Sequence, residues 1–237
     1  MKKILITRSK ERSQDLNVFL IKNGYQTFNE TLFDEFDLDF LVEDFSKIKI
    51  VLITSFYGAK AILKANISKN ALIFAVGKFS CQELVKAGYQ NIKYPQLASA
   101  KNLHDYILNE QFLDKKTSIY YFRGQEIAFD FKTKLEDLDY KINEIICYKI
   151  NPKDKFSPEL IGFTQQEKFD EVLLYSKNSA LIFYKLVKNH NMLEYFKNSK
   201  ILCISEELAD FLRETAGDYF LKIASFDNSK LLKKFYE

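Results

Sequence analysis

Short aliphatic runs that stop at a polar residue recur along this chain, and each leads into apolar positions at helical spacing. ILIT (4–7) passes through a polar stretch to Leu16, Phe19 and Leu20 and meets a stop at Gly24-Tyr25. VLITSFYGAK (51–60) breaks at Ser55, and VLLYSKNSAL (172–181) breaks in the same place, at Ser176. IYYF (119–122) ends at Arg123, placed as Arg8 is after ILIT, and puts Phe131, Leu135 and Leu138 on one helical face before Asp139-Tyr140. IFAVGKFSCQELVKAG (73–88) and ILCISEELADFLRETAG (201–217) each read as strand, polar corner and amphipathic helix closing near Gly. The second of these carries Ser205 where the first has Gly77.

The runs match in pairs. Arg8 to Tyr25 and Arg123 to Tyr140 are the same 17 positions. Three strand-helix units are followed by three related ones, which reads as an internal duplication. Strands alternating with helices predict parallel sheets covered on both faces, because parallel neighbours need crossover connections. The expected fold class is therefore α/β, with two doubly wound parallel-sheet lobes. Such sheets bind ligands at the carboxyl ends of their strands, where loops lead into helix N-termini. Two stretches fall outside the units, QTFNETLFDEFDLDF (26–40) and KINEIICYKINPKD (141–154), and these are the candidate linkers. Asn151-Pro152 and Ser157-Pro158 disfavour helix at their first residues, as suits a chain leaving one lobe for another.

A length of 237 residues fits two small domains. Lys and Arg total 35 against 32 acidic residues, a net charge of +3 too small to indicate nucleic acid by itself, so any basic site must be local. The start MKKILITRSK has too short an apolar run for a signal-peptide core or a membrane span, and a cytoplasmic protein without membrane attachment is expected. Cys81, Cys147 and Cys203 show neither zinc-ligand nor disulfide-framework spacing and are expected to be buried thiols.

No Gly-x-Gly-x-x-Gly or Gly-x-x-x-x-Gly-Lys-Ser/Thr follows any strand, which disfavours a nucleotide enzyme. His104 and His190 satisfy no triad or ligand spacing and are expected at the surface. The series Asp34, Glu35, Asp37, Asp39 lacks the turn glycine and distal Glu of a calcium loop and reads as a solvated linker. Lys230, Lys233 and Lys234 suit the wet face of a terminal helix. The corners carry more: Thr7-Arg8, Ser55, Gly77 with Ser80, Arg123, and Ser176 with Asn178 place hydroxyls, guanidiniums and helix-start amides at one edge of each sheet. That set suits several carboxylates or phosphates, held between the lobes. Ser55 and Ser176 also fit as plain helix caps, and both readings stay open.

ILITRS, LITSFYGAKAI, FAVGKFSCQELVKAG, YYFRGQ, the tyrosine of CYKINP, LLYSKNSALIF and CISEELADFL, in this order, resemble the uroporphyrinogen-III synthase family over nearly the whole chain. The resemblance implies two flavodoxin-like lobes joined by a two-stranded β-ladder: 1–25 with 152–237 as lobe 1, 36–140 as lobe 2, and 26–35 and 141–151 as linker strands. The repeat alone suggests a different cut, near residue 115. The resemblance also implies a cleft for the linear tetrapyrrole hydroxymethylbilane and no metal or organic cofactor. Enzymes of this family eliminate the terminal hydroxyl to an azafulvene, pass through a spiro intermediate and reclose with ring D inverted, giving uroporphyrinogen III on the route to haem. Thr7, Arg8, Ser55, Ser176, Gly77 and Ser80 match substrate-binding positions, and Tyr148 matches a linker tyrosine suited to hydrogen-bond the departing hydroxyl. Ser9, Tyr175, Ser205 and Leu208 depart from the pattern, the last removing a hydroxyl. A monomer is expected, with transient handover of substrate from hydroxymethylbilane synthase. A two-lobed binding protein for an anionic small molecule would show the same corners, and a nucleotide-sugar transferase would need the missing phosphate motif.

Overall fold

The computed structural model describes residues 1–41, 44–110 and 113–225, and Lys230, Lys233 and Lys234 lie outside the described residues. The chain divides into two compact units, Met1–Asp34 with Asn151–Glu237 and Glu35–Ile150.

The first unit contains β1 (Lys3–Ile6), α1 (Gln14–Lys22) and β2 (Gln26–Asn29). The second takes in most of β3 (Phe33–Asp37), then β4 (Ile50–Ile53), α2 (Phe56–Ala65), β5 (Leu72–Ala75), α3 (Lys78–Lys86), β6 (Ile92–Lys93), α4 (Ala100–Asn109), β7 (Ile119–Gly124), α5 (Phe131–Glu136) and most of β8 (Ile142–Pro152). The first unit then resumes with α6 (Pro158–Gln166), β9 (Glu171–Leu174), α7 (Lys177–Asn189), α8 (Leu193–Phe196), β10 (Lys200–Cys203), α9 (Glu206–Ala216) and β11 (Lys222–Ser225).

The first sheet runs β11-β10-β9-β1-β2, all parallel, which is the flavodoxin order 2-1-3-4-5 in that unit's own chain order. The inner strands β1 and β9 are covered on both faces, as strands of a parallel sheet are, so they read as continuous apolar runs. In the first unit, Leu5, Val172, Leu174 and Ile201 face a core with α6, α7 and α9, while Ile4, Ile6 and Leu173 face Leu20 of α1. The second sheet runs β3-β8-β7-β4-β5-β6, and its last five strands are parallel. Val51, Ile53, Phe122 and Cys147 pack on one face with α2 and α3, and Leu52, Phe74, Tyr121 and Ile142 on the other with α4 and α5.

Set side by side, β6-β5-β4-β7-β8 repeats β11-β10-β9-β1-β2, with each matched run of the sequence in the equivalent place. The registers coincide as well. Ile6 pairs with Asn29 as Tyr121 pairs with Glu144, and Ile4 pairs with Glu171 as Ile119 pairs with Ile50. The second sheet is therefore the first one entered at a different strand, a permuted copy.

Several local expectations need correction. Residues 26–29, placed in a linker by the sequence, form the edge strand of the first sheet. Residues 141–151 do more than connect, since β8 pairs along β7 before it meets β3. At β3, Leu38 N–H donates to Cys147 O and Lys153 N–H to Leu32 O, each at 3.0 Å, with numbers running oppositely as in an antiparallel ladder. Leu138 lies beyond α5 and is exposed, because the helix ends at Glu136 and Asp139 turns at positive φ. His104 is half-buried: its ring packs near Phe129 with Nδ1 against Asp105, whereas His190 is exposed and meets Asp154 O at 2.8 Å.

Candidate functional site

In a doubly wound sheet the crevice opens where the strand order reverses, beyond the carboxyl ends of two neighbouring strands. The reversal falls between β1 and β9 in the first unit and between β4 and β7 in the second. Most of the corner residues picked from the sequence sit at these two places, and the units are described in turn.

At the end of β1, Thr7 is buried and donates its hydroxyl to Leu173 O at 2.6 Å, so it ties β1 to β9 before it can serve a ligand. Arg8 follows, with its guanidinium 3.7 Å from the centre of the Tyr175 ring at the end of β9. A planar guanidinium over an aromatic face is held there by charge-quadrupole attraction. Asn29 holds the Arg8 carbonyl at 3.2 Å and the Ser13 hydroxyl at 2.7 Å, which fixes the backbone of the same corner. Burial pushes the Tyr175 phenol up to about 12, against the pull of Arg8 and Arg12, so the ring stays neutral beneath the cation.

Ser176 is a helix cap in full. Its hydroxyl accepts from Ser179 N–H at 3.1 Å, and Ser179 returns the bond by accepting from Ser176 N–H at 2.9 Å, a reciprocal capping arrangement. Asn178 lies exposed in the first turn of α7. Ser205, in place of a glycine, caps α9 through Leu208 N–H at 3.2 Å. Leu208 does not face that corner; it is buried in the core with Leu212 and Phe220. The missing hydroxyl has been exchanged for apolar packing.

In the second unit Ser55 caps α2, accepting from Gly58 N–H at 3.1 Å. Beside it Thr54 and Tyr121 join hydroxyls at 3.2 Å. α3 starts differently. Gly77 precedes it, gives no side-chain cap, and has extended backbone; a Cβ there would meet Ala98 at 2.9 Å, so glycine answers a close approach and not a turn. Ser80 stands in the first turn of α3. Arg123 does not point out to solvent as a spare cation. Its Nε lies 2.7 Å from Glu144 Oε1, Nη2 donates to Oε2 at 3.3 Å, and Nη1 donates to the carbonyls of Gly124 and Gln125. The Nε contact is a close ion pair and not an aligned hydrogen bond.

Tyr148 owes its place to two backbone devices. The β7–β8 register slips between Arg123 and Gly124, so that Arg123 faces Ile146 and Gly124 faces Tyr148, leaving Cys147 as the extra residue. Such a bulge re-aims the side chain that follows it. Tyr148 accordingly packs against the same core as Cys147 and Ile145. Its ring then lies over Gly124, where a Cβ would fall 2.7 Å from Cε2. Tyr57, from the first turn of α2, sits beside it with ring centres 5.1 Å apart. The three thiols are free and buried; desolvation pushes Cys147 up to about 12 and Cys203 to about 11, which keeps them as thiols at neutral pH. Among the described residues no group of three or more His, Cys, Asp or Glu could hold a metal ion, and no helix is long and apolar enough to cross a membrane.

Sequence reasoning missed Glu144, Gly124 and Tyr57. Gly124 had a readable signal, since it directly follows the matched Arg and is one of only seven glycines. Glu144 and Tyr57 become visible only once register and ring positions are known.

Two mainly parallel, doubly wound sheets with polar residues at the reversal points define an α/β protein of the two-unit kind. The family model for uroporphyrinogen-III synthase HemD matches residues 29–217, and the chain belongs to that family. A curated protein from Rickettsia prowazekii, RP474, is 25% identical over 256 residues, covering 90% of each chain. Uroporphyrinogen-III synthetase from Helicobacter pylori is similar in fold, with a TM-score of 0.57 at 18% identity over 94% of this chain and 92% of that one. A mutant uroporphyrinogen III synthase from Thermus thermophilus gives 0.52 at 14% identity, over 100% and 98%.

Proposed function

We propose that the chain is a uroporphyrinogen-III synthase that cyclises hydroxymethylbilane, with loss of water and inversion of ring D, in haem biosynthesis. Membership of the family supports this reading, and the observation that carries it is the Arg8 corner: a guanidinium held on Tyr175 at the reversal point of the first sheet. A substrate with eight carboxylates calls for dispersed donors. Arg8, Ser55, Ser80, Ser176, Asn178 and the amide-rich Gly77 corner supply them. Thr7 and Arg123 support the same corners from within, through Leu173 and Glu144. Tyr148 hydrogen-bonds the hydroxyl as it leaves.

Thiols held in the protonated state offer no nucleophile at neutral pH, which fits catalysis by orientation: the enzyme favours the spiro route over direct closure to the unrotated isomer. The protein acts in the cytoplasm as a monomer, takes its substrate by transient handover from hydroxymethylbilane synthase, and engages no nucleic acid.

The test is a coupled assay. Freshly generated hydroxymethylbilane is supplied with and without the protein, the products are oxidised, and type I and type III porphyrins are separated. Type III in excess is the expected result. Type I alone, with tight substrate binding, would make this a binding protein.

A further inference from the structure

We propose that Tyr57 is a positioning residue for Tyr148, held in place by Glu35, so that the two phenols act as one unit in leaving-group departure. The inference rests on the reading of Tyr148 given above. Tyr57 stands in the first turn of α2, next to the Ser55 cap, and only 9% of it is exposed. Its phenol donates to the Glu35 carboxylate on β3, the strand that pairs with β8. Its ring lies 5.1 Å from that of Tyr148 at 41°. Gly124 closes the other boundary, since the Tyr148 ring rests where a Cβ would be.

Tyr148 is partly exposed, and β8 alone would let its ring turn. Bounded by Tyr57 and by the Gly124 backbone, it keeps few orientations, and orientation is what a hydrogen bond to a departing hydroxyl requires. Tyr57 touches no reacting atom in this scheme. Glu35 acts one step further out, by fixing the Tyr57 ring through its hydroxyl. The acidic run that includes Glu35 thus contributes one carboxylate to this arrangement.

The kinetic test compares Tyr57→Leu, Tyr57→Phe and Glu35→Gln with the parent, alone and combined with Tyr148→Phe. Tyr57→Leu should lower kcat about tenfold with KM within about twofold, and the two milder changes should lower kcat about two- to threefold. In the Tyr148→Phe background none of them should cost anything more. A second readout does not need turnover: 3-fluorotyrosine placed at position 148 alone should give a fluorine resonance that shifts or broadens in Tyr57→Leu. Where Tyr57→Leu fails to fold, Tyr57→Phe and Glu35→Gln carry both measurements. Losses that multiply with Tyr148→Phe, an unchanged kcat, or an unmoved resonance would overturn the proposal. A parent protein that makes only type I porphyrin removes the proposed activity, and the fluorine result then decides the positioning by itself.

Discussion

Arg8 and Arg123 stand at matching ends of matching strands, in sheets that repeat one another pair by pair, yet their guanidiniums are used differently. The position on the next strand is Asn29 in the first unit and Glu144 in the second. Asn29 grips the Arg8 backbone, and the Arg8 guanidinium lies over the Tyr175 ring; Glu144 takes the Arg123 guanidinium directly. The tyrosines have changed places as well. In the first unit the ring comes from the β9 end, as Tyr175, and in the second from β7, as Tyr121, which bonds Thr54. A duplicated sheet can thus keep its register and still divide labour, one corner laying its guanidinium on an aromatic ring and the other setting it against a carboxylate. Charge that is already paired at short range has little left to offer a ligand.

The largest contrast should appear on removing each arginine. Arg8→Ala should raise KM for hydroxymethylbilane roughly ten- to a hundredfold, the size of a charge-assisted hydrogen bond, with the fold intact. Arg123→Ala should leave KM nearly unchanged and instead lower unfolding stability by about 1–3 kcal/mol, because Glu144 loses its partner. Equal KM effects would erase the distinction between the corners. Next in size is Gly124→Ala, whose new Cβ displaces the Tyr148 ring and should lower kcat about tenfold, whereas alanine at Gly162, with nothing within 4 Å, should not. Tyr175→Thr removes the platform under Arg8 and should raise KM roughly two- to tenfold. Steady-state kinetics on the five variants, with urea unfolding of Arg123→Ala, checks these.

The smallest effect concerns pH. The ordinary thiol value is 9.0, and burial raises Cys203 to about 11 in the first unit and Cys147 to about 12 in the second. Between those values the unfolded thiol has lost its proton and the native one has not, so the native state binds more protons and stability falls as pH rises. The loss is at most about 1.4 kcal/mol per pH unit for each thiol. Urea titrations above pH 9 should show a shallower fall for either Cys→Ala variant, ending near pH 11 for the Cys203 contribution and near pH 12 for that of Cys147.

Much of the framework was legible before any coordinates. Aliphatic runs breaking at Ser55 and Ser176 marked strand ends correctly, because in parallel sheets the apolar run stops where the strand leaves the core, whereas β7 runs on through Arg123 to Gly124. The pairing of the runs was legible too, since both copies kept the same spacing from Arg to Tyr. What escaped was lateral. β2 looked like linker because a four-residue edge strand with half-buried positions has no strong period. Leu208 looked like a lost hydroxyl because spacing alone does not show which face of α9 meets the core. The bulge that turns Tyr148, the glycine beneath it and the ion pair that engages Arg123 all depend on strand register, which no run of residues states on its own.

The central claim is that the protein works by holding its substrate in one conformation, with Tyr148 only easing departure of the hydroxyl. The most direct measurement is the rate and isomer distribution of Tyr148→Phe beside the parent. The expected outcome is turnover slowed roughly ten- to a hundredfold, the worth of one hydrogen bond of about 1–3 kcal/mol, with the product still mainly type III. A variant that turns over at full rate, or that yields type I, would contradict the account.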